Sequence, residues 1–374
     1  MKKSIYDIAR MAGVSTATVS RVMNNTSQIS EATRNTVLKA IRDANYVPRG
    51  SGSAKTRKAN QDVVGGRGGS IELLFCFSHG GEKLRVDDRK IEVQEFEYIP
   101  PEEFVSASSS FYRPISDGAI DEARKFGFKT IMHCIRKDSL NNPKLMQSLY
   151  DDRISGLLLA GEHPDGLSDF LKNFKLPVVL VDIMAGNGAV EVTSDNLDGI
   201  SQAFEHVYSL GHRKIGFMVG DEKLPAYRER YLSFIYKMGE KGLKVRDEWV
   251  YRGTNHITDT AEWGMKFFRR KDLPTAFLST NDYCALGLLR AAVKSGIKVP
   301  EDLSIVGFDD METSSLVTPT LTSVNVPKAE IGRFSARELI VSLRNGKRPS
   351  NSPQCRIRIR PVLVKRESTA KARK

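Results

Sequence analysis

Cysteine is scarce in this chain, with four among 374 residues, at positions 76, 134, 284 and 355. No two are close enough to form a CxxC metal or redox pair, and such spacing gives no dense disulfide framework, so each reads as a small buried hydrophobe. An 18-residue apolar run, the minimum for a membrane-spanning helix, is absent. The opening MKKSIYDIARMAG is basic but turns polar too soon for a signal peptide, which predicts a cytoplasmic protein with no membrane partner. Catalytic signatures are missing as well: G-x-S-x-G, Walker A and H-E-x-x-H do not occur, and GGRGGS at 65–70 neither follows a strand nor opens a helix. The six histidines are scattered, none within five residues of another, and Trp249 and Trp263 lack interleaved basic partners. No enzyme, metal site or cofactor is therefore expected.

What charge there is lies at the ends. The net charge is +12, of which residues 1–60 carry +8 and residues 356–374 carry +7, leaving the long middle at −3. Basic ends on a near-neutral body point to a polyanionic partner, although for residues 356–374 an ordinary solvated surface is an equal alternative.

The first sixty residues are the most sharply patterned. Ser4 and Asp7 form a capping signature ahead of Ile5, Ile8, Ala9 and Ala12, which recur at helical spacing, and Gly13 ends that helix. Ser15 then caps a second helix, STATVSRVMN, with Val19, Val22 and Met23 inward and Thr16, Ala17, Thr18, Ser20 and Arg21 outward. A third helix from about Glu31, behind Ser30, presents Val37, Ala40, Ile41 and Ala44. Helix, tight turn, helix is the helix-turn-helix plan, whose second helix enters the DNA major groove. Arg21 suits a bidentate contact to guanine, Thr and Ser suit phosphates or base edges, and Ala17 suits a thymine methyl.

From Ser70 on, short apolar strands alternate with amphipathic helical stretches: IELLFCF, KTIMHCI, ISGLLLAG and LPVVLVD, then KIGFMVG, PTAFLSTND and LSIVGFDD. This rhythm predicts parallel sheets covered by helices, arranged as two α/β lobes. Ligands in such sheets bind beyond the carboxyl ends of strands, which singles out Asp182, Asn281–Asp282, Asp309–Asp310 and Arg228. Carboxylates, an amide and a guanidinium are the donor and acceptor set of a polyhydroxyl ligand. For Asp282 and Asp310 a helix-capping role carries equal weight.

IYDIARMAGVSTATVSRVMNN, Thr33–Arg34 and YVP at 46–48 resemble the headpiece of the LacI/GalR family of bacterial transcription regulators. ISGLLLAG, LPVVLVD, SDNLDGISQAFEHVYSLGHRKIGFM, STNDYCALGLLRA, VPEDLSIVGFDD and TPTLTSV resemble its regulatory domain, which is similar to periplasmic sugar-binding proteins. The resemblance implies that Thr16 and Ala17 vary with operator sequence, that Thr18, Ser20, Arg21 and Asn24 belong to a shared DNA-contact set, and that Tyr6 lies near a phosphate. It implies that Asp182, Arg228, Asn281 and Asp309 line an effector cleft, with Phe111–Tyr112 as an aromatic pair ahead of the first helix of the body. It also implies a homodimer on double-stranded operator DNA and three crossings between lobes, near 193, 327 and 350.

The expected organisation is a helix-turn-helix domain at 1–46, a basic Gly/Ser linker at 47–70, an effector-binding and dimerisation domain at 71–366, and a basic tail at 367–374. The first lobe is placed at about 71–192 and 328–348, the second at about 193–327 and 350–366. The function this predicts is a sequence-specific repressor under the control of a small, sugar-like effector. Its rivals are a transport-type solute-binding protein and a non-specific architectural DNA-binding protein.

Two departures stand out. About 26 residues, 82–107, intervene where the family has a few, and the alternation in IEVQEFEYI suggests an added β-hairpin arm. In the linker, the family's hinge helix inserts a leucine into the minor groove, but residues 47–70 contain no leucine. Gly50 and Gly52 each cost a helix about 1 kcal/mol there, and an apolar wedge needs an apolar side chain. Lys55 and Arg57, with Lys58, are instead expected to act as a basic strap along phosphates or an AT-rich minor groove. A circular-permutation gel shift checks this: weak bending is the expected result, and a sharp central kink counts against the strap.

Overall fold

The computed structural model describes residues 5–23, the single residues 30, 33, 36, 37 and 40, and then 69–77, 101–185, 189–345 and 355–373. Met23 aside, the inward positions Ile41 and Ala44, the DNA-side Asn24, the strap residues Lys55 and Arg57, and the proposed arm as far as residue 100 lie outside the described part of the chain. Two units are present, Met1–Gly65 and Gly66–Lys374.

In the first unit, α1 spans Ile5–Ala12 and α2 spans Thr16–Met23. Gly13 between them has φ +63, a left-handed conformation that glycine adopts without a Cβ penalty. Ser15 Oγ accepts the Thr18 N–H at 3.1 Å, capping α2. Ser30 does the same for Thr33 at 3.3 Å, and Thr33, Thr36, Val37 and Ala40 are helical. Ile8, Ala9, Ala12, Val19, Val22, Val37 and Ala40 form one small core, with Val14 packed against it.

The second unit holds two parallel sheets. The first lobe contains β1 (Ser70–Phe77), α3 (Pro101–Lys125), β2 (Lys129–Arg136), α4 (Pro143–Asp151), β3 (Ile154–Gly161), α5 (Leu167–Asn173), β4 (Val178–Val181) and β5 (Val190–Ser194). The second contains α6 (Asn196–Ser209), β6 (Ile215–Gly220), α7 (Pro225–Glu240), β7 (Val250–Arg252), α8 (Ile257–Phe267), β8 (Ala276–Ser279), α9 (Asp282–Lys294), β9 (Ser304–Asp309), α10 (Glu312–Leu316) and β10 (Thr322–Asn325). The chain then returns as α11 (Lys328–Arg344) and β11 (Arg356–Ile359) to the first lobe, and ends in the second with β12 (Val362–Val364). Strand order is β11-β5-β4-β3-β1-β2 in one sheet and β12-β10-β9-β8-β6-β7 in the other; β12 is the antiparallel member.

The strands read as unbroken apolar runs because both faces are covered. On one face of the first sheet, Leu74, Cys76, Leu157 and Leu159 pack with Leu145 and Leu149 of α4 and Phe170 of α5. On the other, Leu339 of α11 lies so close to Gly156 that a Cβ there would overlap it. α11 and α3 cross at equally close range: a Cβ on Gly332 would run into the Ile115 carbonyl, and one on Gly118 into that of Ala329. Backbone atoms on both sides leave this crossing no slack.

Three expectations need correction. First, α3 reaches back to Pro101, so residues 101–107 are helical and Phe111–Tyr112 lie inside the helix rather than ahead of it. Pro101 at the first helical position, followed by Glu102 and Glu103, is helix-starting chemistry. Secondly, the third crossing between lobes falls at Arg360–Pro361 rather than near 350, because β11 adds to the first-lobe sheet beside β5, with Arg358 opposite Thr193. The other crossings are at Asp195 and at Val326–Pro327. Thirdly, residues 367–373 are no free basic tail. Ser368 is fully buried, with its backbone bonded to Ile305 and Thr320, and Ala372 N–H donates to Leu210 O at 2.9 Å. His212 Nε2 meets Ala370 O at 3.0 Å, and Arg373 pairs with Asp302, so the segment is bound along the second lobe.

Candidate functional sites

In the first unit, the inward side chains of α1 and α2 leave a polar outer face. Tyr6 is exposed, Ala17 is exposed, and Thr16 and Thr18 are half-buried. The Thr18 hydroxyl lies 2.9 Å from Ser15 Oγ, which ties it to the helix start. Ser20 and Arg21 lie on the last turns of α2.

In the second unit, the strand ends converge. Asp182 follows β4 with φ 57, and Asp309 ends β9 with φ 102. A left-handed aspartate at a strand end is uncommon, and such backbone persists where surrounding structure holds it. Asp309 Oδ1 meets the Arg230 guanidinium at 3.3 Å. Arg230 is almost completely buried; it also donates to the Thr280 carbonyl and, through Nε, to Asn196 Oδ1 at 2.8 Å, and it lies 3.7 Å over the Phe308 ring. Lys328, at the second crossing, donates to the carbonyls of Asp309 and Asp310, and its ammonium sits 5.6 Å from the centre of the Phe111 ring.

Burial pushes the Asp182 carboxyl up to about 6, against the opposing pull of Arg230 and Lys328. Burial also raises Asp309 to about 6, with Arg230 and Lys328 lowering it and Asp182 adding repulsion. Tyr112 is raised by burial first and then by Asp182, Tyr227, Glu162 and Asp309, so its hydroxyl shares one environment with residues of both lobes. Its ring packs edge-on against Phe111, Phe75 and Phe77 at 5.0, 5.7 and 5.4 Å. Asn281 Nδ2 donates to the Tyr227 hydroxyl at 2.9 Å, while its Oδ1 accepts the Cys284 N–H at 2.9 Å and so caps α9.

The structure thus brings together Asp182 and Asp309 at strand ends, Asn281 at the start of α9, and Phe111 and Tyr112 from the middle of α3. It does not bring Arg228, which is exposed. Pro225 starts α7 and sets its phase, so that Arg230, Ser233, Phe234, Lys237 and Met238 face inward, while Arg228, two residues earlier, is turned about 200° away. The guanidinium of this site belongs to Arg230. The signal for it was the spacing of Arg230, Phe234 and Met238 at four-residue intervals. Sequence reading also missed Tyr227, Lys328 and Asn196.

Asp282 and Asp310 do something other than cap helices. Asp282 is fully buried and accepts the Met311 N–H at 2.7 Å and the hydroxyls of Ser314 and Ser323 at 2.6 Å each. Burial, and then Asp309, raise it to about 7. Gly307 makes room for it, since a Cβ there would overlap Asp282 Oδ1. Asp310 pairs with Arg366 at 2.7 Å and accepts from Asn325 Nδ2 at 2.7 Å.

A helix-turn-helix unit joined to a two-lobed α/β body with a polar, aromatic-edged site between its lobes defines a ligand-sensing DNA-binding protein. Comparison with known proteins agrees. Residues 4–49 match the family described as bacterial regulatory proteins, lacI family, and residues 204–369 match the periplasmic binding protein-like domain. The transcriptional repressor PurR of Haemophilus influenzae strain Rd is 30% identical over 368 residues, 98% of each chain. PurR of Mannheimia succiniciproducens is 28% identical over 373 residues, 98% of this chain and 99% of that one. A regulator solved as a CelR–cellobiose complex superposes with TM-score 0.66 at 24% identity, covering 98% of this chain and 100% of the other. The lac repressor dimer bound to operator and the anti-inducer ONPF gives 0.64 at 23%, covering 99% and 100%. The chain belongs to the LacI family, and it is a DNA-binding transcriptional repressor of the LacI/PurR type. Among the described residues, no helix is long and apolar enough to cross a membrane.

The Asp282 network yields a stability test. Asp282→Ala leaves three donors without their acceptor and is expected to cost about 3 kcal/mol in urea unfolding. Asp282→Asn keeps an acceptor for Met311 and Ser314 and offers Ser323 a donor, so a loss below about half of that is expected.

Proposed function

We propose that this repressor is controlled by a sugar or sugar derivative bound between the lobes. Asp182 and Asp309 act as acceptors for hydroxyl groups, Asn281 and Arg230 act as donors, and Tyr112 and Phe111 cover the apolar face of the ring. The observation that carries this reading is a carboxylate, Asp309, paired with a buried guanidinium, with a second carboxylate, Asp182, within the field of that cation and an aromatic cluster beside them. A polyhydroxyl ligand satisfies such a mixed set of donors and acceptors without bringing net charge into a desolvated site. The structural neighbour solved with cellobiose is in keeping with it.

On the DNA side, Thr16, Ala17, Thr18, Ser20, Arg21 and Asn24 read base edges and nearby phosphates of an operator half-site, Tyr6 meets a phosphate, and Lys55 and Arg57 run along the backbone. Two copies on a pseudo-palindromic site complete the functional unit, as in the lac repressor dimer on its operator. A coupling of about 1–3 kcal/mol between cleft and headpiece changes operator affinity roughly 5- to 150-fold, enough for a switch.

Thermal unfolding across mono- and disaccharides, sugar acids and purines tests the effector class. A sugar at about 100 times its Kd adds about 2.7 kcal/mol of stability and raises the transition by several degrees; if purines move it and no sugar does, the sugar reading falls. Binding should also weaken as pH drops from 7.5 to 5.5. Both carboxyls titrate at about 6, and the ionised form is the better acceptor. In the free protein the sign is opposite: folded values above the unfolded value of about 3.9 mean that these two groups destabilise the fold as pH rises from about 4 to 6. For the headpiece, Arg21→Ala should lose about 1–3 kcal/mol on operator DNA and relax preference at one base pair. Unchanged sequence selectivity in a competition gel shift would remove Arg21 from that role.

A further inference from the structure

All three crossings between the lobes are tied to one residue of the cleft. At the second crossing, the Lys328 ammonium donates to the Asp309 carbonyl. The Asp309 side chain holds Arg230, whose Nε donates to Asn196 Oδ1 at 2.8 Å; Asn196 is buried and is the first residue of α6, immediately after the crossing at Asp195. Asn196 Nδ2 in turn donates to Glu229 Oε2 at 2.9 Å. Glu229 Oε1 then accepts Arg358 Nη2 at 2.5 Å, and Arg358 lies on β11 of the first-lobe sheet, two residues before the third crossing at Arg360–Pro361.

The order of donors and acceptors along this chain leaves little freedom. A guanidinium only donates and a carboxylate only accepts, so Asn196 can satisfy both neighbours in one orientation alone, with its oxygen toward Arg230 and its nitrogen toward Glu229. A shift of Arg230 strands the buried Asn196 oxygen, and a shift of Arg358 removes the charge that holds Glu229. Side-chain exposure falls along the path, from partly exposed at Arg358 and Glu229 to nearly none at Arg230, so water does not readily replace the inner links. Other bonds fasten the same crossings to the second lobe without reaching the cleft: Arg360 pairs with Asp198 at 3.0 Å, and Gln202 Nε2 donates to Pro361 O at 2.9 Å.

We propose that Asn196, Glu229 and Arg358 are positioning residues, a polar relay through which the state of Arg230 and Asp309 in the cleft sets the angle at the first and third crossings. A ligand that draws Arg230 or Asp309 toward itself loosens the Asn196 end. Re-angling of the lobes, conversely, changes how Arg230 is presented to the ligand, as linkage requires. The proposal rests on the cleft reading given above, but its test uses no ligand, so a failed sugar screen leaves it standing and its own failure leaves that reading untouched.

The test is hydrogen exchange by mass spectrometry on the full chain, wild type against Glu229→Gln, which keeps shape and removes charge. The expected result is faster exchange, at least about fivefold, in peptides covering 193–199 and 356–364 and also in the remote cleft strand 304–311. Asp309→Asn should produce the reciprocal change at 356–364. Exchange altered only within 225–240 and 356–360 would mean a local ion pair and would overturn the relay, as would no change at all. Peptides over 154–161 report whether the first-lobe core is intact; should Glu229→Gln disturb them, Arg358→Lys, which keeps the charge and loses the guanidinium fork, is read by the same criteria.

Discussion

The arrangement depends on one buried guanidinium. Arg230 is held by Asp309, by the Thr280 carbonyl and by Asn196, and it stacks over Phe308, so its charge is compensated on every side where it would otherwise be desolvated. Removing Asp309 leaves the cation without its carboxylate partner in a dry place. The strand end carrying Asp309, the start of α6 and the phase of α7 are therefore fixed together, and the cleft and the first crossing between the lobes share this residue.

A second carboxylate supports the same region from behind. Asp282 binds Met311, Ser314 and Ser323 and so ties the start of α9 to α10 and β10. Asp309 raises Asp282 in addition to burial, which dominates, and Asp309 is itself raised by burial and then by Asp182, against Arg230 and Lys328. Three acidic side chains near one another, with two cations among them, make a site whose charge state is sensitive to what enters it.

The headpiece was the most legible part of the chain, because its signals are local. Ser15 and Ser30 cap as their positions suggest, Gly13 turns the chain, and Ile8, Val19, Val22 and Val37 meet in one core. The body's strands were legible for a different reason: sheets buried on both faces leave continuous apolar runs such as ISGLLLAG and LPVVLV. What sequence could not fix was phase and distant pairing. Arg228 and Arg230 differ by two positions, and the start of α7 at Pro225, together with the four-residue spacing of Arg230, Phe234 and Met238, decides between them. The third crossing was misplaced because β11, Arg-rich and partly exposed, lacks the apolar run that marks the other strands. Asp282 looked like a helix cap because its partners come from 29 to 41 residues away.

The interleaving of the lobes has a consequence for how the sensor is made. The first-lobe sheet is completed by β11 and covered by α11, both synthesised after the second lobe's strands β6 to β10; the second-lobe sheet is completed by β12, and Ser368 is buried beneath it after that. Neither lobe has its full set of strands until nearly the whole described chain has left the ribosome. The headpiece, by contrast, is local in sequence and can fold while the body is still being translated. A nascent repressor therefore owns a DNA reader before it owns a working sensor, and the sensor arrives as a single cooperative unit rather than lobe by lobe.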